Sequence, residues 1–310
     1  AQTDDDYPQK LFAPKLYTGD AAATLTISGM DFQPDFTWIK NRDAADSHCL
    51  FDSTRGVTKV LHSDTTAAEA TDADTLKSWT SDGYTVGADV KVNTSGEDYA
   101  SWNWRANGGT TSANAVGDLA SVVQVDPSGG FSIVTYTGTE SATTVGHGLS
   151  SAPQCIIVKC RDFDRNWAGL FVNGPGNGKS MILNSTSDGD IASGYWNNTD
   201  PTSTLFSIGG GTETNKSGKL FVAYCFANIE GYIKAGIYTG NADDDGTFVY
   251  TGFRPAMMIL REYGAVDDWG IYDDKRLGYN LSSAGNALLY PNTTSDEENQ
   301  ASRAIDILSN

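Results

Sequence analysis

The feature that most constrains this fold is a set of residues that recurs along the chain at constant spacing. The tyrosine of "YTG", a proline and a basic residue each occur three times, separated by 119 and then by 102 residues. These markers are Tyr17, Tyr136 and Tyr238; Pro34, Pro153 and Pro255; and Lys40, Lys159 and Arg261. Chance does not keep three markers in step across three copies, so the sequence predicts a tandem repeat, and the repeat decides how each local motif is interpreted.

The alignment extends to an aromatic segment that closes the first two copies. "VNTSGEDYASWNWRA" matches "TNKSGKLFVAYCFAN", so Trp102 corresponds to Tyr224 and Trp104 corresponds to Phe226. Strict alternation in "YASWNW" puts both tryptophans on one face of a strand, and we expect all four aromatic residues to supply core or inter-sheet contacts. A further column of the alignment holds His48, Trp167 and Trp269.

Each copy is built from short runs rich in β-branched and aromatic residues, such as "FTWIK", "CIIVK" and "MMILR", separated by Gly, Asn, Asp and Pro. Such runs are typical of strands, and no stretch shows a sustained apolar periodicity of 3.6 residues. We therefore predict an all-β chain of tandem antiparallel β-sandwiches. A three-residue insertion in the second copy would align Leu61 with Leu183.

The repeat also sets the domain boundaries. Residues 1–10 form a polar arm, 11–106 the first sandwich, 107–130 a linker with an added strand in "SVVQV", 131–230 the second sandwich and 231–310 the third. The third copy is incomplete, because it reaches "AIDILSN" without a counterpart of the closing strand. Since a sandwich without that strand has an open edge, we expect the natural polypeptide to continue beyond Asn310, or a neighbouring subunit to donate the strand.

Composition disfavours several classes of partner. The formal net charge is −18, which disfavours contact with the phosphates of nucleic acid. No apolar run approaches the roughly 18 residues of a membrane-spanning helix, so we expect no membrane partner. The four cysteines follow no metal spacing; we expect buried free thiols, and a bridge between Cys155 and Cys225 stays open as an alternative.

Local motifs that resemble functional sites are better explained by the repeat. "NGPGNGKS" lacks the first glycine of a phosphate-binding loop, and "NADDDG" lacks the bidentate Glu of a calcium loop. The three histidines have no metal spacing, and no strand-like run carries the paired carboxylates of a glycoside hydrolase. The sequence therefore predicts no catalytic residue, no cofactor and no metal, in a protein that is not an enzyme.

From about Leu11 onward the repeat resembles a family of tandem β-rich repeats in virion proteins of tailed bacteriophages, many of them marine. The resemblance rests on "FQPDFTWIKNR", "SDGYTVG" and "VNTSGEDYASWNWRA" in the first copy and on "VGHGLSSAPQCIIVK" and "KLFVAYCFAN" in the second. In the third it rests on "YTGNADDDGTFVYTGFRPAMMILR". The resemblance implies jelly-roll or concanavalin-like sandwiches in a fibre, spike or capsid-surface protein, and it carries over no catalytic residue.

We therefore expect a non-enzymatic virion surface protein of the tail-fibre or spike type, which is homo-oligomeric and attaches to the host surface, with host glycans as candidate ligands. Loops at the ends of a stiff sandwich suit this role because they vary freely. The first alternative is a capsid-decorating or tail-structural protein that binds only other virion proteins. The second is a secreted glycan-binding or glycan-active sandwich protein, which a groove with two close carboxylates would favour.

Overall fold

The structure is a computed structural model that describes residues 8–174, 179–187, 190–191, 193–243, 245–276 and 286–309. Within these residues the chain consists mainly of antiparallel strands, so the predicted all-β fold is confirmed. The described helices are single turns, and none of them is long and apolar enough to cross a membrane. We call residues 11–106 copy 1, residues 131–230 copy 2 and residues 231–310 copy 3.

Copy 1 is a sandwich of two antiparallel sheets. Its strands are β1 (Phe12–Thr18), β2 (Leu25–Ile27), β3 (Phe36–Asn41), β4 (Cys49–Asp52), β5 (Lys59–Val60), β6 (Ala70–Thr71), β7 (Leu76–Thr80), β8 (Gly83–Val86) and β9 (Asp98–Trp104). The main sheet has the order β1-β9-β3-β4 and the second β2-β8-β7, with β5 and β6 as a separate pair. A one-turn helix, α1 (Val90–Asn93), precedes β9. Side chains between the two sheets, among them Ile39, Tyr84 and Tyr99, form the core of this copy.

The spacer contributes β10 (Ser112–Asn114) and β11 (Ser121–Asp126), the second of which lies where the sequence predicts an added strand. The elements of copy 2 are β12 (Phe131–Thr137), β13 (Thr143–Gly146), β14 (Pro153–Cys160), β15 (Ala168–Phe171), β16 (Lys179–Ile182), β17 (Asp190–Ile191), α2 (Ser193–Trp196), β18 (Leu205–Ile208), α3 (Thr212–Asn215) and β19 (Leu220–Ala227). Its main sheet runs β10-β11-β12-β19-β14-β15-β16-β17, and β13 pairs with β18. Phe206 and Trp196 help to fill the core between them.

The main sheets of copies 1 and 2 share one strand order, because β1-β9-β3-β4 corresponds to β12-β19-β14-β15. Their register also agrees: Tyr17 lies opposite Tyr99, and Tyr136 lies opposite Phe221 at the matching position. Each of these two copies ends in a closing strand, β9 in copy 1 and β19 in copy 2. Before it the chain turns at a glycine with positive φ, 83° at Gly96 and 70° at Gly218. This agreement of order, register and turn supports the predicted repeat.

Copy 3 contains four strands among its described residues, β20 (Met257–Leu260), β21 (Gly270–Asp273), β22 (Asn286–Leu288) and β23 (Glu298–Gln300). They form the pairs β20-β21 and β22-β23, and a bridge between Ile271 and Leu289 joins the two pairs. Pro255 lies two residues before β20, as Pro34 does before β3, whereas Pro153 is the first residue of β14. The described residues between 234 and 255 contain no strand.

The faces of the two main sheets that point away from their own copy's second sheet pack together with β20-β21 in one shared cluster. Its buried members come from all three copies, and they include Trp38, Trp102, Trp104, Phe131, Trp167, Tyr224, Trp269, Ile271 and Leu289. The ring centroids of Phe36 in copy 1 and Tyr224 in copy 2 lie 4.4 Å apart, and Phe226 also packs against the cluster. The aromatic residues of the closing strands therefore lie between the copies as well as within their own sheets.

The hairpins that follow β4, β15 and β21 correct one detail of the sequence alignment. Residues of one alignment column form matched pairs across them. The pairs are Leu50–Leu61, Gly169–Met181 and Ile271–Leu289. Leu61 therefore corresponds to Met181, and the predicted match to Leu183 is wrong. Apolar residues alternate with others in a strand, so side-chain identity alone leaves the register of a short hairpin undetermined, whereas backbone pairing fixes it.

Candidate functional site

Two of the three basic markers bind backbone of the preceding copy. Lys159 is fully buried and donates from Nζ to the carbonyl oxygen of Thr66 in copy 1 at 2.7 Å. The Arg261 guanidinium donates to three carbonyl oxygens of copy 2, those of Ser185, Thr186 and Ser187. Lys40 instead donates to carbonyls in its own copy, those of Asn41 and Ala44. Burial lowers the pKa of Lys40 and of Lys159 to about 8.

The tyrosine markers of copies 1 and 2 make equivalent contacts, and the marker of copy 3 does not make them. Tyr17 stacks on a closing-strand ring at 5.0 Å and donates from its hydroxyl to the carbonyl of Val92. Tyr136 stacks at 5.3 Å and donates to the carbonyl of Thr214. Burial raises the pKa of both phenols well above the ordinary value. Tyr238 is 52% exposed, and the described residues place no closing strand beside it.

The column that holds His48 makes a matched contact from each copy to the next. In all three cases a ring nitrogen binds a backbone carbonyl oxygen at the same hairpin position of a neighbouring copy. The contacts are Trp167 Nε1 to His62 at 2.8 Å, Trp269 Nε1 to Ile182 at 3.0 Å and His48 Nε2 to Tyr290 at 3.0 Å. Copy 2 thus contacts copy 1, copy 3 contacts copy 2 and copy 1 contacts copy 3, so the three copies close into a triangle.

The backbone beneath these rings repeats the same match. In each copy the N–H of the column residue donates to a side-chain oxygen on the hairpin of its own copy. These bonds run from His48 to Asp64 at 3.1 Å, from Trp167 to Asn184 at 2.8 Å and from Trp269 to Asn292 at 3.0 Å. Each acceptor lies two residues after the carbonyl that receives the neighbouring ring, so one short hairpin orients both contacts.

A buried cluster of charges joins copy 1 to copy 2. Arg55 binds the carboxylate of Asp52, and its Nη1 lies 3.0 Å from Oε2 of Glu69. Oε2 of Glu69 also lies 3.0 Å from Nε of Arg161 in copy 2. Burial alone would raise the pKa of Glu69, but the Arg161 and Arg55 guanidiniums hold it below the ordinary value. The closing strand of copy 2 adds a hydrogen bond, because the Tyr224 hydroxyl donates to Asp52 at 2.7 Å.

The same cluster recurs between copy 3 and copy 1. Arg276 binds Asp273 at 2.7 Å and Glu297 at 3.3 Å, as Arg55 binds its two carboxylates. Arg42 of copy 1 forms two hydrogen bonds to Glu297, at 2.9 and 2.8 Å. The closing strand of copy 1 again contributes, since Trp102 Nε1 donates to Asp273 at 2.9 Å. Although burial would raise the pKa of Asp273, Arg276 keeps it below the ordinary value.

The third side of the triangle has different chemistry. The position in copy 2 that corresponds to Asp52 and Asp273 is Phe171, and the position of their arginines is Gly174. Phe171 packs on Trp269 of copy 3, with ring centroids 5.7 Å apart. Copy 3 places no closing strand over Phe171 among its described residues, so this side has neither the carboxylate nor the aromatic donor found on the other two.

The imidazole of His48 and the four cysteine thiols are buried. His48 accepts at Nδ1 from Trp38 Nε1 and binds a carbonyl through Nε2, which requires the neutral tautomer with its proton on Nε2, and burial lowers its pKa well below the ordinary value. All four cysteines are buried and free, so the alternative of a Cys155–Cys225 bridge is wrong. Burial raises the pKa of the Cys49 thiol, which disfavours a nucleophilic thiolate.

The surface carries a cavity of about 250 Å³ where copy 2 meets copy 3. Asn228, Glu230, Lys234 and the exposed ring of Tyr250 line it. Glu230 is the single carboxylate of this lining, whereas glycoside hydrolysis needs a pair. No group of three or more His, Cys, Asp or Glu in the described part of the chain is arranged to hold a metal ion. Ile229 and Ile233 also line the cavity, so its wall combines polar and apolar side chains and provides no pair of carboxylates.

The sequence markers account for part of these contacts. The basic and tyrosine markers and the closing-strand aromatics all lie at copy interfaces or sandwich cores, with Tyr238 as the exception. The sequence did not lead to a prediction of the two charge clusters. Their signal was available as an aspartate followed three residues later by an arginine, "DSTR" at Asp52 and "DDKR" at Asp273, separated by the sum of the two repeat offsets. The sequence could not show that each pair meets a glutamate and a neighbouring copy.

The chain belongs to a family described as a domain of unknown function, DUF7483, because the model of that family matches residues 7–310. The match spans all three copies and the spacer, so the triangle of copies corresponds to one family domain rather than to three. No curated protein and no solved structure matches the chain.

Proposed function

We propose that this chain is a non-enzymatic surface protein of a bacteriophage virion, of the tail-fibre or spike type, that attaches to host-surface glycans. The observation that supports it best is the use of buried polar groups. The carboxylate–arginine clusters around Asp52 and Asp273 and the neutral ring of His48 all hold one copy against another. Side chains committed in this way stiffen the protein and are withheld from chemistry on a substrate.

The position on a virion follows from the resemblance to tandem repeats of tailed-phage proteins. A rigid triangle of sandwiches suits a particle exposed to mechanical stress, and the net charge of −18 resists self-association between neighbouring particles. The cavity with the exposed Tyr250 is the candidate glycan contact, because an aromatic ring beside hydrogen-bonding groups suits a sugar.

The test is retention of the labelled full chain on an array of bacterial lipopolysaccharides and capsular polysaccharides. We expect retention on a subset of them, loss of retention for Tyr250→Ala, and no change for the exposed control Val116→Ala. The same glycans incubated with the protein should release no more reducing ends than with a heat-denatured sample. Release above that control would contradict the absence of catalysis, and uniform lack of retention would contradict attachment.

A capsid-decorating or tail-structural protein is the second candidate. The observation that favours it is the edge of β20 that no strand covers in the described part of the chain, since an unpaired strand edge is a site where another polypeptide can pair. For this function we expect binding to a virion protein with no glycan retained, so the same array separates the two candidates. Glycan retention that depends on Tyr250 would count against a purely decorating role.

A further inference from the structure

One edge of copy 3 has no strand beside it in the described part of the chain. In copies 1 and 2 the closing strand lies between the first and third strands, as β1-β9-β3 and β12-β19-β14. The strand of copy 3 that corresponds to β3 and β14 is β20, and its neighbour in the described sheet is β21 alone. The edge of β20 that corresponds to the one covered by β9 or β19 is therefore open.

The segment that corresponds to β12 shows the effect of this open edge. Ile237 and Tyr238 are 55% and 52% exposed, and the described residues around them form no strand. Tyr17 and Tyr136, at the matching position, stack on rings of their closing strands. In copy 1 the first strand hydrogen-bonds only to the closing strand, so a first segment without that neighbour has no ladder to join.

The backbone N–H and C=O groups that point to the open edge are those of Met257 and Ile259. Successive residues of an antiparallel strand direct their N–H and C=O groups to opposite neighbours. Ile271 exchanges both of its backbone bonds with the chain on the far side of β21, so the residues on either side of it bond to β20. Their partners are Met258 and Leu260, which leaves Met257 and Ile259 directed at the open edge.

Side chains define which strand this edge would accept. Met257 and Ile259 are half-buried and pack against the shared cluster, where the matching residues of copies 1 and 2 lie opposite the closing strands. There Trp102 and Tyr224 each donate to a buried aspartate of a neighbouring copy. On this third side the matching residue is Phe171, which offers a ring and no acceptor. A donor placed on Phe171 would be buried without a partner.

We propose that the open edge of β20 binds one extended strand of a partner polypeptide, antiparallel to β20, with a donor-free apolar side chain facing Phe171. The strand would lie between β20 and the segment of Ile237 and Tyr238, which is recognition by strand addition. The occupant is specified by the two matching sites of this chain, where β9 and β19 show the direction, the alternation and the length that fit. The strand order defines this edge, so the proposal does not depend on the attachment function proposed above.

The probe is a labelled peptide with the sequence of residues 216–227 that carries Tyr224→Phe, to remove the donor, and Cys225→Ser, to prevent oxidation. Titrated into the full chain, it should bind saturably with 1:1 stoichiometry. In NMR-detected hydrogen exchange, the Ile259 amide should exchange at least about tenfold more slowly with peptide bound, because a ladder bond must open first. The Ile157 amide, which already faces β19, should not change.

The matched variant is Met257→Pro, which removes an edge N–H and leaves the residues that bond to β21. Proline is tolerated at the first residue of a strand, as Pro153 in β14 shows. Because Met257 also packs against the shared cluster, Met257→Ala, which keeps the N–H, is the control for lost packing. We expect Met257→Pro to melt at the temperature of Met257→Ala and to bind the peptide at least about tenfold more weakly than that control, a loss of about 1.4 kcal/mol. A peptide with proline at the positions of Val222 and Tyr224 should not bind.

Three results would overturn the proposal. The first is no saturable binding up to about 1 mM peptide, a limit of about 4 kcal/mol, with unchanged exchange at Ile259. The second is equal binding by Met257→Pro or by the proline peptide. The third is an Ile259 amide that is already protected from exchange in the free protein. If light scattering then shows a dimer, a second copy of the chain covers the edge. If it shows a monomer, the chain covers the edge itself.

Discussion

His48 shows how one side chain can replace another when the contact needs a single donor. Trp167 and Trp269 bind a neighbouring carbonyl with the indole N–H, and His48 binds one with Nε2. The imidazole has a second nitrogen, and it accepts a hydrogen bond from Trp38 at 2.8 Å. Because Nε2 donates and Nδ1 accepts, the ring is neutral, and a proton added at Nδ1 would break the hydrogen bond from Trp38.

The substitution His48→Gln tests this neutral state, because glutamine keeps a donor and an acceptor and does not titrate. In the fold the pKa of His48 lies well below 6.5, so the unfolded chain takes up the extra proton as pH falls through 6.5. Stability is therefore lost toward acid. We expect wild type to lose up to about 1.4 kcal/mol of unfolding free energy per pH unit relative to the variant below pH 6.5.

Urea titrations of both proteins at several pH values between neutral and mildly acidic measure this difference. The carboxylates contribute equally to both proteins, so the comparison isolates the imidazole. A difference that stays constant with pH would mean that His48 is not held neutral between the copies.

Glu69 is the residue that joins two copies through two guanidiniums. Arg55 is fully buried at its side chain and Glu69 nearly so, which makes their pairing expensive to break from one side only. Glu69→Ala should lower the free energy of unfolding by about 3 kcal/mol, because Arg55 and Arg161 both lose a partner. The exposed Glu262→Ala, as the matched control, should change it by less than about 0.5 kcal/mol. Equal effects in urea unfolding would contradict the buried cluster.

At the scale of elements, the closing strands matter most because each of their two faces packs into a different core. β9 lies between β1 and β3 and directs its two tryptophans into the shared cluster, while its other face contributes Tyr99 to the core of copy 1. One strand thus takes part in two cores. The short helix before it positions the turn, since Asn93 accepts from the backbone N–H of Asp20 as Asn215 accepts from that of Thr139.

Trp104→Ala should be among the costliest single changes in a closing strand. The ring is 8% exposed, and its centroid lies 4.8 Å from that of Phe12 and 5.1 Å from that of Phe36. We expect the free energy of unfolding to fall by about 3–5 kcal/mol. The exposed Val116→Ala serves as the control, with a change below about 0.5 kcal/mol. A Trp104→Ala protein as stable as wild type in urea would show that this face is not packed.

Much of this element level could be predicted from the sequence. The all-β class, the approximate positions of β3, β14 and β20 and the pairing of Trp104 with Phe226 in the alignment follow from composition, turn residues and repeat spacing. The triangle could not be predicted, because its contacts join residues far apart in the chain, such as Tyr224 with Asp52. Alternation places a side chain on a face of a strand but does not identify what packs against that face.

At the scale of the whole molecule, the triangle joins the sandwiches of copies 1 and 2 and the strand pairs described in copy 3 into one unit. The shared cluster takes apolar side chains from every copy, so no copy keeps its complete core when separated from the others. Two sides of the triangle are closed by a charge cluster and a closing strand, and the third by the packing of Phe171 on Trp269. The edge of β20 that has no neighbour among the described residues lies on the side without a charge cluster or a closing strand, which is why a strand added there would complete the pattern.

The most direct test of the triangle is a double-mutant cycle on Arg42 and Glu297, which meet across 255 residues of chain and join copy 1 to copy 3. Unfolding in urea of wild type, Arg42→Ala, Glu297→Ala and the double variant gives the coupling energy, and we predict at least about 1 kcal/mol. The exposed pair of Asp74 and Lys77 is the control, with a coupling below about 0.5 kcal/mol. A coupling within about 0.3 kcal/mol of zero for Arg42 and Glu297 would contradict the contact between copies 1 and 3 at this pair.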